Sequence, residues 1–327
     1  MQAAGQVIVK VTHTHDHKLY KRAKRELNFF KMFHKSKRVC NLINGTFKDA
    51  AHGVPATCIC VLEMFEKGTV RTLLDKGAPK FTERLSPDGP SFLRFKHVVA
   101  MAKDVSDGLQ CMHQMNIIHR DIKPANICVE LVPGSSNLRY TIIDLGSAVS
   151  CVDAQKEKKT MGFCGQFTTE VGLKLPLGTV PFMSPEHLDP DRYVDCRSDI
   201  FSLGVTIYHC LSGSFPFVQP HPVYDENQLA RELFKIYASA KEAEPLDIPL
   251  AEKRARDKEV LIEIVTKTLR KEPAERFESA VALKENIEQR IDRCRARIWT
   301  GSVKCWCELG SMVVIAHEQQ LRSNISD

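Results

Sequence analysis

The distribution of apolar positions divides the chain into two stretches of different character. Residues 6–11 (QVIVKV) and 57–65 (TCICVLEMF) are β-branched and apolar, and they predict strands. Between them, residues 17–34 (HKLYKRAKRELNFFKMFH) predict a strongly basic helix. Beyond Phe65 the pattern changes. Residues 76–91 (KGAPKFTERLSPDGPS) predict a turn-rich loop or insertion. Val98, Ala102, Val105, Leu109 and Met112 recur at helical spacing, which predicts a helix over 97–114. The runs ICVEL and RYTII flank PGSSN, a hairpin signal. Residues 199–211 (DIFSLGVTIYHCL) are apolar on nearly every face and predict a helix buried all round. Further helices are expected over 227–240, 257–270 and 278–297. A small strand-rich part thus precedes a larger helical part, with the boundary near Lys67–Thr69.

Composition narrows the class. A chain of 327 residues with 43% hydrophobic and 26% charged residues is long enough for a sizeable core and has the balance of a globular protein. A net charge of +6 suits anionic ligands without pointing to nucleic acid. The 12 cysteines are scattered and form no CxxC pair, which argues against a zinc site or a disulfide scaffold. Reduced thiols in a cytoplasmic or nuclear setting are expected. No apolar run approaches the roughly 18 residues of a membrane span, and no apolar signal core opens the chain.

The chemistry sits in IIHRDIKPANICVE, residues 117–130. The pattern H-R-D-x-K-x-x-N is complete in His119, Arg120, Asp121, Lys123 and Asn126. Asp144-Leu145-Gly146 follows an apolar strand, and Ser184-Pro185-Glu186 stands farther on, preceded by Gly178 and Thr179. In these motifs and their order the sequence resembles the eukaryotic protein kinases over roughly residues 5–295. Asp-Leu-Gly in place of Asp-Phe-Gly, and Ser-Pro-Glu in place of Ala-Pro-Glu, are mild departures. The resemblance implies an α+β, two-lobed fold. Residues 1–67 would be a truncated, β-rich N-lobe, 68–297 a mainly helical C-lobe, and 298–327 a tail of undecided role.

It also implies a reaction, transfer of the γ-phosphoryl group of ATP to a protein hydroxyl with Mg2+. Phosphoryl transfer needs positioning and charge neutralisation more than covalent help. Asp121 is then the catalytic base, Lys123 the cation at the transferring phosphate, and Asn126 and Asp144 the metal ligands. Lys10 in VIVKV stands where the family has its strand lysine, and Glu26 is the expected helix partner that holds it. Lys123 and Thr179 resemble their counterparts in kinases that act on serine and threonine. Glu186 with Arg276 resembles a buried ion pair, and Asp199 a buried helix aspartate that braces the catalytic loop. Residues 62–70 (LEMFEKGTV) resemble the hinge, with Leu62 behind the adenine and the backbone of Glu63 to Phe65 bonding it. Cys128 falls under the adenine, as a small hydrophobe or as a reactive thiol.

The family's glycine-rich loop lies one strand upstream of the strand lysine, yet only Gly5 precedes Lys10 and no G-x-G occurs. The first strand, that loop and most of the second strand are therefore expected to be missing from this polypeptide. Two readings stand side by side: a serine/threonine kinase without its phosphate lid, and a pseudokinase-like scaffold with weak or no turnover. Partners follow from the first: a protein with a Ser/Thr acceptor, and an upstream kinase acting on Thr168, Thr169 or Thr160 in the activation segment. The basic helix at 18–38 lacks the aromatic interleaving of a nucleic-acid surface and reads as a solvated face. HTHDH (His13, His15, His17) reads as a surface turn rather than a metal site.

Overall fold

The structure is a computed structural model that describes residues 6–34, 36–51, 54–77, 80–84, 91–154, 178–189, 191–217, 225–239 and 255–292. Thr160, Thr168, Thr169 and the tail from residue 298 lie outside these residues.

The first part is a sheet of three antiparallel strands in the order β1-β3-β2, where β1 is Val7–Thr14, β2 Leu42–Lys48 and β3 Ala56–Glu63. Alternation along β3 is strict. Ala56, Cys58, Cys60 and Leu62 are buried and their neighbours are half-buried. The buried set packs on α1 (His17–Phe33), which contributes Ala23, Leu27, Phe30 and Phe33. Asp16 caps α1 by accepting from the Lys18 and Leu19 amides. HTHDH is therefore not a single turn. His13 and Thr14 finish β1, Asp16 is the helix cap, and His17 is the first helical residue. Among the described residues no group of three or more His, Cys, Asp or Glu is placed to hold a metal ion.

One strand was not expected at all, and one expectation needs correction. β2 gave no clear signal, because LINGTFK interrupts its apolar positions with Asn44 and Gly45 and leaves most of its side chains exposed. The stretch 76–91 is not simply loop: β4 (Thr82–Arg84) and β5 (Ser91–Leu93) pair antiparallel across it. Just before it, α2 (Val70–Lys76) begins with a capping box between Thr69 and Thr72 and ends on Gly77 in the left-handed region.

The second part is helical. α3 (Phe95–His113) buries Val98, Ala102, Val105, Leu109 and Met112 and packs on the β7–β8 hairpin, Ile127–Leu131 with Leu138–Ile142. β6 (Ile117–Ile118) pairs with β9 (Val149–Ser150). α4 (Pro185–Leu188) and α5 (Arg197–Ser212) follow, and α5 is buried from Ser198 to Tyr208. α6 (Glu226–Ala238), α7 (Ala255–Thr268) and α8 (Ala280–Ile287) complete the body. Of the helix expected over 278–297, the described residues hold α8 and, directly after it, a π turn over Glu288–Asp292. Met112, Ile117, Leu145 and Ala148 join the α1–β3 core, so the segment carrying Asp144 is packed against α1. Among the described residues no helix is long and apolar enough to cross a membrane.

Candidate active site

Two groups of side chains carry the candidate site: Lys10 with Glu26 and Asp144, and Asp121 with Lys123, Asn126 and Thr179. β1 carries Lys10 on its inner side and α1 carries Glu26, whose side chain is only 6% exposed. The Lys10 Nζ donates to Glu26 Oε1 at 2.7 Å and to Asp144 Oδ1 at 3.0 Å. The amine thus bridges strand, helix and the loop after β8. Burial opposes the charge on Lys10, but the Glu26 and Asp144 carboxylates outweigh it and hold its pKa above the ordinary value. For Asp144 burial is likewise outweighed, by Lys10 and by the Gly146 amide, and its pKa falls. Glu26 goes the other way. Its deeper burial outweighs the pull of Lys10 and pushes its pKa up.

Arg22, one turn before Glu26 on α1, donates to the Gly146 carbonyl through Nε and lies 3.4 Å from Ser147 Oγ through Nη2. The sequence reading missed it. Its signal was the i, i+4 spacing to Glu26, which puts both on one helix face.

The catalytic-loop segment is built around Asp121. Its Oδ1 accepts from the Thr179 hydroxyl at 2.8 Å, and its Oδ2 accepts from Lys123 Nζ and Asn126 Nδ2, each at 2.8 Å. Lys123 also donates to Thr179 Oγ1. Asn126 donates a second time, to the Asp121 carbonyl. With its amide nitrogen so committed, its amide oxygen is the atom left for a cation. Gly178 fits Thr179 in place: its φ is +136°, and a Cβ there would meet the Arg120 carbonyl at 2.7 Å. A cavity of about 280 Å3 opens beside Lys123 and Thr179, lined further by Arg71, Phe182, His209 and Phe215.

The loop is held from below by Asp199 on α5. Its carboxylate is fully buried and accepts from the His119 amide at 2.8 Å, the Arg120 amide at 2.9 Å and His113 Nε2 at 2.8 Å. This fixes Arg120 at φ +65°, a conformation that costs a non-glycine residue free energy. Burial raises the Asp199 pKa, yet the His113 hydrogen bond and the other donors outweigh it and the net shift is downward. The Arg120 guanidinium donates to the Ser147 carbonyl at 2.7 Å, joining the loop to the segment after Asp144. Behind the cavity, Arg276 and Glu186 form a bidentate pair, both bonds 2.7 Å and both side chains almost wholly buried.

The hinge positions are more constrained than expected. The Glu63 carboxylate accepts from the Asn41 amide at 2.7 Å, and its own N–H donates to the Asn41 carbonyl at 3.2 Å. That N–H is not available to a ligand. The Phe65 carbonyl accepts from the Gly68 amide at 3.0 Å. Leu62 and Cys128 are buried. Burial, with the Glu63 charge, pushes the Cys128 thiol up to about 12, so it behaves as a small hydrophobe rather than as a nucleophile.

The donor set suits a magnesium–phosphate group. Mg2+ takes hard oxygens, commonly one or two from the protein and the rest from phosphates and water. Asn126 and Asp144 offer such oxygens, and Lys10 brings a fixed cation beside them.

Comparison with known proteins gives the family: residues 2–287 match the protein kinase domain, and the chain belongs to that family. It is similar to "Serine/threonine-protein kinase PknB" of Mycolicibacterium smegmatis, with 30% identity over 200 residues, 61% of this chain and 27% of that protein. It is also similar to "Serine/threonine-protein kinase TOS3" of Saccharomyces cerevisiae, with 36% identity over 160 residues, 48% of this chain and 26% of that protein. The chain thus spans about a quarter of the length of these relatives.

Proposed function

We propose that this chain is a serine/threonine protein kinase, transferring the γ-phosphoryl group of ATP to Ser or Thr hydroxyls of a protein substrate. The observation that carries the reading is the closed set of hydrogen bonds joining Asp121, Lys123, Asn126 and Thr179. Asp121 Oδ1 faces a hydroxyl already, that of Thr179. An incoming hydroxyl beside it would be oriented by the same carboxylate, which accepts its proton as the new O–P bond forms. Lys123 offsets charge on the phosphoryl oxygens. Asn126 and Asp144 would hold Mg2+, which when bound neutralises charge between the phosphates. Glu26 is a positioning residue: it holds the Lys10 amine that would contact the phosphates. Names of both relatives support the Ser/Thr class, as does Thr179 beside Asp121. The N-lobe, C-lobe and tail division at residues 67 and 297 belongs to this proposal, as does a cytoplasmic or nuclear setting. So does an upstream kinase acting on Thr168 or Thr169.

A scaffold reading has one observation of its own. β1 pairs only with β3 among the described strands, and Val7, Ile8, Val9 and Val11 are exposed, an apolar sheet edge that could take a partner's strand. One assay separates the readings. The purified polypeptide is incubated with labelled Mg-ATP and a mixed Ser/Thr/Tyr peptide library, against an Asp121→Asn control. Phosphoserine and phosphothreonine above that control are expected; transfer equal to the control favours the scaffold.

A further inference from the structure

Outside the groups already assigned, two thiols lie in contact. Cys151 follows β9 and Cys196 is the residue before α5, and their Sγ atoms are 3.8 Å apart. Both are half-buried, at the edge of a small apolar cluster of Ile118, Val149, Ala154 and Val194. We propose that Cys151 and Cys196 are a redox modification site, oxidised by a peroxide to a disulfide that ties the two ends of the activation segment together. Neither residue has a place in the phosphoryl-transfer reading.

Position gives the pair its interest. The Cys151 amide donates to the Asn116 carbonyl at 2.8 Å, just beyond the β6–β9 ladder that leads into the catalytic loop. The Cys196 carbonyl accepts from the amide of Asp199, the residue whose carboxylate holds the His119 and Arg120 amides. Each sulfur is therefore one short step from a different support of the same loop. The two cysteines are 45 positions apart, and the chain between them carries Thr160, Thr168, Thr169, Thr179 and Glu186. A bond between them closes that whole segment into a ring.

The chemistry balances with a peroxide as the two-electron oxidant. The Cys151 thiolate attacks one peroxide oxygen, the O–O bond breaks, and Cys151 becomes a sulfenic acid while the departing hydroxide takes up the thiol proton as water. The Cys196 sulfur then attacks the Cys151 sulfur. The S–S bond forms, and the sulfenic oxygen leaves as a second water with the Cys196 proton. Cys151 is the attacking member, because burial and nearby carboxylates raise the Cys196 thiol the more strongly of the two. Burial still raises both thiols, with Asp195 and Asp199 nearby adding to it, so the site responds to sustained oxidant rather than to traces. Bonded sulfurs sit about 2.05 Å apart, so the two must approach by roughly 1.8 Å from their present contact. Where the backbone takes up that movement it shifts both supports of Asp121, and misplacement on the ångström scale lowers catalysis severely.

The functional consequence rests on the kinase reading, whereas the bond itself does not. The full-length chain is treated with hydrogen peroxide, blocked at free thiols, digested without reductant and mapped by mass spectrometry. A linked peptide pair containing Cys151 and Cys196, lighter by two hydrogens and lost with dithiothreitol, is expected. It is absent in Cys151→Ser and in Cys196→Ala. Transfer by the wild type should fall at least about tenfold on oxidation and return with dithiothreitol, while Cys151→Ser resists. Absence of the linked pair, or overoxidation of Cys151 to a sulfonic acid in its place, overturns the site. A linked pair with unchanged transfer overturns its control of activity. If the reduced protein shows no transfer, the kinase reading fails and the linked pair still decides the site.

Discussion

Asp121 accepts from three side chains at once, and this sets what a substitution there can do. In Asp121→Asn the remaining oxygen can keep Lys123 and Asn126 while the new amide turns to the Thr179 hydroxyl, so packing and most hydrogen bonds survive. The expected outcome is a loss of transfer of about 10²–10⁴-fold with a melting temperature close to wild type, measured by steady-state assay and thermal denaturation. A large fall in stability would mean that Asp121 is chiefly structural. At this scale much of the site was legible. Of the residues named from motifs, Lys10, Glu26 and Asp144 are joined in one hydrogen-bonded group, and Asp121, Lys123 and Asn126 in another. What was not legible depends on burial. His113 reads as a helix-end histidine until Asp199 lies 2.8 Å away, and Ser198 reads as an ordinary helix serine until it donates to Glu186 at 2.7 Å. Neither pairing has a periodic or local sequence signature.

Elements carry the site in two different ways, and each predicts a separable effect. α5 supports the catalytic loop through Asp199, so Asp199→Ala strands two buried amides. Each stranded amide costs about 1–3 kcal/mol, and a total loss of about 3 kcal/mol is expected by urea denaturation. Asp199→Asn keeps one acceptor and should lose distinctly less; equal losses would show that the carboxylate does not hold both amides. α1 instead presents Glu26 to Lys10. Long periodic elements such as α1, α3 and α5 were readable because one face, or every face, is apolar. β2 was not, since its stability comes from pairing with β3 rather than from its own alternation. α2 was hidden for a similar reason: seven residues give too short a period, and its boundaries are set by the Thr69–Thr72 capping box and Gly77. The β4–β5 hairpin, three residues a strand, is shorter than any window in which alternation can be seen.

For the whole molecule, nucleotide and proton binding both report on the folded state. The 327 residues contain no G-x-G, so the phosphates of ATP would be held by Lys10 and the metal ligands without a glycine cradle. Mg-ATP should therefore raise the melting temperature only slightly below millimolar nucleotide; a large shift at micromolar levels would show a phosphate site elsewhere. Protons act through buried carboxylates whose pKa shifts have opposite signs. Asp199 and Glu186 have pKa values below the ordinary range, because the donors around Asp199 and the Arg276 partner of Glu186 outweigh burial. A depressed pKa adds stability that is present above the unfolded value near 4 and is lost as pH falls through the folded value, so the acid limb should be steep and lie below about pH 4. Glu26 is raised by burial despite Lys10, and its contribution is lost as pH climbs through its folded pKa from the ordinary value near 4.3. Glu26→Gln has no such titration. Its melting temperature should gain on the wild type as pH rises above the ordinary value near 4.3, even though transfer falls because Lys10 loses its positioning partner. Melting curves of the two proteins across that range test it. A difference independent of pH would mean that Glu26 ionises as easily in the folded chain as in the unfolded one, and that Lys10 has cancelled the burial.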